Sequence, residues 1–350
     1  MRKVNLLFLL LLLLLIPAAL LKAQSEKQPF LTKSLAAETI NSIEAQTTGG
    51  NITVTATGKP ESRVEVYVTP NNGKTNSLSK EEIQQRLTEE YDLSVTVSNN
   101  KVTAIAKPRN RNMNWKKALS ISFQVFVTKN VSSDLTTSGG NIKLTGLSGT
   151  QDFSTSGGNL DLDNLSGKII GKTSGGNIHV SNSKDDITLT TSGGNITAEN
   201  SDGKIRLETS GGSLHLKKLK GSIKATTSGG NVDGELISDE LDTHTSGGNI
   251  SLRDMSCNLA TSTSGGNISV EMTEILKYVT ITNSSGNVDL QMPGNKGVDL
   301  KLRGGKIKTT SFSNFSGSVE DDQIDGKLNG GGSSVKVNAG SGKINLSLTK

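Results

Sequence analysis

A Thr-Ser-Gly-Gly phrase that returns every 18 residues constrains this chain more than any other feature of it. The first glycine of the pair stands at Gly139, Gly157, Gly175, Gly193, Gly211, Gly229, Gly247 and Gly265, each 18 residues after the last. A fixed period of that kind marks a repeat architecture, in which one short unit stacks on copies of itself. Within a period the apolar residues alternate in two arms, as in Ile178 and Val180 then Ile187 and Leu189, or Leu214 and Leu216 then Ile223 and Ala225. Alternation by two puts these side chains on one face of a short strand and the intervening Lys, Asp, His, Thr and Glu on the other. Two short strands cannot bury their apolar faces alone, so the units must stack, with strands pairing about 4.8 Å apart.

The expected fold is all-β: a single-stranded β-solenoid (β-helix) of 18-residue, two-strand coils, right-handed by the general preference of parallel crossovers. The Gly-Gly-Asn corner is expected to use glycine's access to positive φ, and the opposite corner carries Gly149, Gly167, Gly203 or Gly221. Stacking aligns equivalent residues into ladders. Thr137, Thr155, Thr173, Thr191, Thr209, Thr227, Thr245 and Thr263 form one, and Asn141, Asn159, Asn177, Asn195, Asn231, Asn249 and Asn267 form another, interrupted by Ser213. Such ladders pass hydrogen bonds from coil to coil, so the motif reads as fold-making and not catalytic. Small inward residues, Ala198, Ala225 and Gly234, imply a narrow interior with no ligand-filled lumen.

Ahead of the array, Arg2 and Lys3 precede an apolar run from Leu6 to Ile16, then Pro17-Ala18-Ala19. This is the pattern of a secretory signal over residues 1–23, cut after Ala23, which leaves no transmembrane segment in the mature chain. Loss of Arg2, Lys3 and Lys22 would bring the formal charge from +5 to +2. A nucleic-acid binder concentrates Lys and Arg on one face, often with stacking aromatics, and no such pattern is present.

Residues 24–130 read as a first coil, marked by Thr48-Gly49-Gly50-Asn51, followed by an excursion that caps the array. The excursion predicts strands at 64–68, 93–97, 102–106 and 121–127. It also predicts a helix over about 79–91, with Ser79 and Glu82 at capping-box spacing and Ile83 and Leu87 on its apolar face. A helix in an atypical terminal segment commonly covers an open strand edge. The loop from Lys107 to Lys117, with Arg109, Arg111, Trp115 and Lys116, is the best local contact candidate, set against a solvated hairpin loop whose Trp115 packs back on the sheet. Residues 131–350 form the repeat region, about eleven coils counting the first copy and the last. It loosens around Ser285-Gly286-Asn287 and Gly304-Gly305, departs from pattern over 311–323, and closes with Gly330-Gly331-Gly332.

These repeats, the helix-bearing N-terminal segment and the triple-glycine ending resemble the bacterial "putative adhesin" proteins of the DUF4097 type, and the head-GIN exported proteins are similar. The resemblance implies an exported bacterial β-solenoid and supplies no catalytic residues. The residues speak against other chemistries. His179 and His215 fall at one outward position two coils apart, with Asp161 and Asp233 in the same ladder and His244 on the other strand. At about 10 Å the two histidines cannot share a metal directly. No carboxylate cluster recurs at one level, as a glycoside-cleaving β-helix would need. Calcium-binding nonapeptide solenoids carry an Asp where this turn has Asn, and regular Thr-x-Thr pairs of an ice-binding face are absent from most coils. Cys257, the only cysteine, sits at a corner position that is glycine elsewhere and reads as a tolerated small residue.

The expectation is thus a non-enzymatic exported adhesin or cell-surface interaction protein, with no catalytic, cofactor or metal site. Its partner would be an envelope or extracellular protein or glycan, not nucleic acid. The alternatives are a periplasmic envelope scaffold and a polysaccharide-acting enzyme.

Overall fold

The computed structural model describes residues 28–71, 78–110 and 118–349. The segment read as a signal, and Arg111, Trp115 and Lys116 of the basic loop, lie outside them.

The repeat builds the coil that its pattern implies. Lys184–Thr191 forms a strand, the chain turns at Ser192-Gly193-Gly194-Asn195, and a second arm begins at Ile196. Ile187, Leu189, Ile196 and Ala198 point inward and are fully buried. Neighbouring coils pair in parallel and in register, Ile187 against Ile205 and Ile205 against Ile223. Followed from end to end, this one inward ladder runs Val102, Ile43, Ser133, Gln151, Ile169, Ile187, Ile205, Ile223, Leu241, Leu259, Val279, Val335 and Leu300. The solenoid is therefore thirteen rungs deep, two more than the repeat count implies. Where the ladder turns polar it stays satisfied: buried Ser133 donates to Gln151 Oε1 at 2.6 Å, and Gln151 Nε2 donates to the Val131 carbonyl at 2.7 Å.

The Gly-Gly corner holds the coils together by a different device from the one expected. None of its glycines has a positive φ. The second glycine is required because the coils approach too closely for a side chain: a Cβ on Gly194 would overlap the carbonyl of Gly176, and the same overlap recurs at Gly158, Gly212 and Gly248. The first glycine, Gly193, meets nothing nearer than 3.6 Å. The threonine ladder exploits this closeness. Thr191 donates to the Gly176 carbonyl of the preceding coil at 2.9 Å and accepts the Gly194 amide of its own corner at 3.3 Å. The same pair of bonds repeats from Thr137 to Thr263. Each asparagine side chain accepts the backbone amide of the next coil's residue, Asn177 Oδ1 from Asn195 at 2.8 Å, and Ser213 takes that role with its hydroxyl.

Positive φ belongs to the opposite corner. Gly203 (φ 115°) and Gly221 (φ 110°) share their ladder with Asp185 (φ 83°) and Asp239 (φ 76°). That corner also carries a fifth inward ladder, occupied by Leu147, Leu165, Ser183, Ser201, Leu219, Ile237 and Met255, all buried.

At both ends the order in space departs from the order in sequence. The N-terminal elements are β1 (Leu31–Ser34), β2 (Ser42–Thr47), β3 (Ile52–Ala56), β4 (Arg63–Pro70), α1 (Lys80–Glu90), β5 (Tyr91–Ser98), β6 (Lys101–Pro108) and β7 (Leu119–Val127). The array follows, from β8 (Ser132–Thr137) to β20 (Ile268–Asn283). The coil β2–β3 stacks on β8 and its successor on one side and on β6–β7 on the other. The outermost full coil thus comes from the excursion, and antiparallel β4 and β5 pair onto its edge. Helix α1 joins these two edge strands. Its capping box forms as the spacing predicts, Ser79 Oγ accepting Glu82 N at 3.1 Å and Glu82 accepting Ser79 N at 2.8 Å, and it buries Leu87. The helix is part of the cap, but paired strands do the edge-blocking.

The other end repeats the scheme with β21 (Val288–Pro293), β22 (Val298–Arg303), β23 (Lys306–Thr309), β24 (Phe315–Val319), β25 (Gln323–Leu328), β26 (Ser333–Asn338) and β27 (Lys343–Thr349). After β21 the chain skips a level to lay down β22–β23, turns back through antiparallel β24–β25, and fills the vacant level with β26–β27. The corner of that inserted coil is Gly340-Ser341-Gly342, where Gly342 packs on Gly286. Gly330-Gly331-Gly332 is instead a positive-φ turn that connects β25 to β26.

Candidate functional surface

Since inward and corner residues make the fold, the outward rungs are what the molecule can present to a partner. On the shorter arm one outward ladder runs Lys143, Asp161, His179, Thr197, His215, Asp233 and Ser251. It places His179 and His215 in one line with a threonine between them, as their spacing indicates. Lys143 bonds Asp161 at 2.7 Å, and His215 Nδ1 lies 3.3 Å from Asp233. His244, on the longer arm, bonds Ser262 at 2.9 Å. Among the described residues no group of three or more His, Cys, Asp and Glu is placed to hold a metal ion. Beside the ladder, hydrogen bonds from Asn182 and Ser181 hold the Asp163 carboxyl below its usual range.

On the longer arm another ladder reads Asp134, Asp152, Ile170, Thr188, Arg206, Lys224, Asp242, Ala260, Thr280, Lys336 and Lys301. It is acidic at one end of the array and basic at the other.

The outer face of β3, β7 and β4 carries a trough of about 670 Å³. Antiparallel pairing brings Arg63 opposite Phe126, Glu65 opposite Gln124 and Tyr67 opposite Ser122. The Arg63 guanidinium lies 3.9 Å over the Phe126 ring and donates to Glu65 at 2.6 Å, while the Tyr67 hydroxyl donates to the other Glu65 oxygen at 2.7 Å. The Glu65 side chain is only 13% exposed. Burial pushes its pKa up, but the bonds from Arg63 and Tyr67 outweigh that and hold it below the usual range. The result is a fixed set of planar polar groups beside two aromatic rings. The sequence reading did not assemble this group, because its members come from strands some sixty positions apart. The available signal was Phe126, which falls on the polar phase of a strand whose Phe123, Val125 and Val127 face the core.

Of the basic loop, Arg109 donates to the Tyr91 carbonyl at 3.2 Å and pairs with Asp92 at 3.0 Å, so it ties the strand ends together. Cys257 is buried, and desolvation followed by the nearby Asp239 charge pushes its thiol to about 12, far from the reactive range. No helix among the described residues is long and apolar enough to cross a membrane.

The architecture defines a β-solenoid repeat protein with blocked ends. Residues 184–347 match the profile of the family described as Toastrack DUF4097. Two solved structures align with it along most of their length. One is described as a "putative cell adhesion protein" from Clostridium sporogenes ATCC 15579, at 10% identity over 91% of this chain and 98% of that one, with a TM-score of 0.18. The other is described as a "putative adhesin" from Bacteroides fragilis NCTC 9343, at 14% identity over 90% and 96%, with a TM-score of 0.23. At those scores the likeness does not extend to superposable coordinates. No curated protein matches the chain.

Proposed function

We propose that this protein is a non-enzymatic, exported rod that presents its lateral surface to an envelope or extracellular protein or glycan, in the manner of an adhesin. The supporting observation is the division of labour in each coil. Inward residues, the threonine–glycine bonds and the asparagine ladder satisfy the fold, which leaves outward positions on thirteen rungs, roughly 60 Å of surface, free to serve contact. The trough at the N-terminal end, with Tyr67, Phe126, Arg63 and Gln124, combines the aromatic and planar polar groups that suit a glycan or a polar peptide. Export rests on the pattern of residues 1–23. Several ionisable side chains of the walls are engaged in cross-rung pairs, which supports a surface role over acid–base chemistry.

The test is protease accessibility of a tagged copy on intact cells and on cells whose outer envelope has been opened. Cleavage on intact cells is expected. Protection until the envelope is opened would replace adhesion with a periplasmic scaffold, and turnover of an envelope polysaccharide by the purified protein would overturn the non-enzymatic reading.

A further inference from the structure

We propose that two copies of this chain associate side by side and antiparallel through the outer face of the longer arm. Where charges meet on neighbouring strands of this rod they mostly alternate in sign, as in Lys143 with Asp161, Lys217 with Glu235 and Lys224 with Asp242. Several places on the longer arm break that habit, Glu44 beside Asp134 and Arg206 beside Lys224 among them. Asp134 stands directly beside Asp152, and Lys336 directly beside Lys301. Like charges at such positions repel, which destabilises an isolated sheet. Lys301 reaches a carboxylate only at 3.9 Å, in Asp325. The Asp134–Asp152 and Lys336–Lys301 couples lie on one ladder, near opposite ends of the rod.

Reversing a second copy about the rung of Lys224 brings these couples together. Lys224 stands five rungs from Asp134 and five from Lys301, so Asp134 meets Lys301 of the second copy and Asp152 meets its Lys336. The same operation sets Arg206 against Asp242, each one rung from the axis. On the flanking ladders it sets Lys204 against Glu240 and Glu208 against His244. A parallel arrangement would oppose every charge of the ladder to itself, whereas the antiparallel one does so only at Lys224, which lies on the axis and is paired with its own Asp242. The face available is about 50 Å long and about 20 Å wide, on the order of 1,000 Å² per partner, which is enough for a specific dimer. Its polar character makes the association salt-sensitive.

Sedimentation equilibrium of the purified protein at about 20 mM and about 500 mM salt tests this. A dimer at low salt whose Kd rises at least tenfold at high salt is expected, with a largest dimension in solution scattering close to that of one rod. Asp152→Lys or Lys336→Glu alone should weaken the dimer at least tenfold without lowering the melting temperature, and the double variant, which restores both pairs with their signs exchanged, should recover it. A monomer at low salt and high protein concentration, an end-to-end dimer of doubled length, or a double variant no better than the singles would overturn the proposal.

Discussion

The middle of this molecule and its two ends solve the same problem by different means. In the middle each coil is laid on the last in sequence order, and one threonine, one glycine and one asparagine per coil fix the register through bonds that reach only to the next level. At the ends the order of levels departs from the order of the chain: β6–β7 is laid outside β2–β3 before the array starts on the other side, β26–β27 returns to a level left empty between β20–β21 and β22–β23, and antiparallel strands close the exposed edges. A repeat can specify its neighbour but not its own termination. Termination needs non-repeating sequence, and it needs contacts between residues far apart in the chain.

That contrast can be sharpened by substitution. The largest effect is expected in the middle: Thr191→Val keeps the side-chain shape but strands the Gly176 carbonyl and the Gly194 amide, both buried, at a cost of about 2–4 kcal/mol in chemical denaturation. A cost under about 0.5 kcal/mol would break the claim that the ladder binds coil to coil. A smaller, local effect is expected at the end. Ser79→Ala removes the cap of α1 and should cost about 1 kcal/mol, raising amide exchange in the helix while the array stays protected.

Smaller still is the acid response of the trough. The Glu65 carboxyl is depressed in the folded state, so its contribution is present above its unfolded value of about 4.3 and is lost as pH falls through the folded value. Glu65→Gln should flatten that part of the acid limb of a stability–pH curve, and an unchanged limb would show that the Arg63–Glu65–Tyr67 group adds nothing to the cap. Lastly, Cys257, buried with its thiol raised to about 12, should resist alkylation at pH 8 in the native protein and react on unfolding. Rapid native labelling would mean that the wall opens at that rung.

The middle was legible in the sequence because its determinants repeat. The 18-residue period, the two alternating arms and the Thr and Asn ladders all came from spacing alone, and the capping box of α1 came from Ser79 and Glu82. The role of the glycine pair is not legible locally, because local reasoning offers positive φ as glycine's usual purpose, whereas the demand at Gly194 comes from the backbone of the preceding coil. The fifth inward ladder was hidden by its mixture of Leu147 with Ser183 and Ser201, which has no uniform polarity. The ends were legible as strands but not as levels. Strand β26 alternates like any other, and nothing in its own residues says that it lies between β20 and β22. The trough escaped for the same reason, since the pairing of β4 with β7 is what sets Tyr67 and Arg63 beside Phe126.

The measurement that bears most directly on how this rod is held together compares Gly193→Ala with Gly194→Ala in thermal melts. The two glycines are adjacent and neither has a positive φ, but only a Cβ on Gly194 would overlap the preceding coil's carbonyl. Gly194→Ala should cost about 3 kcal/mol or more through forced separation of the coils, whereas Gly193→Ala should be neutral or stabilising by about 0.4–1 kcal/mol. Equal losses at both positions would contradict the account and return the corner to backbone conformation as its cause.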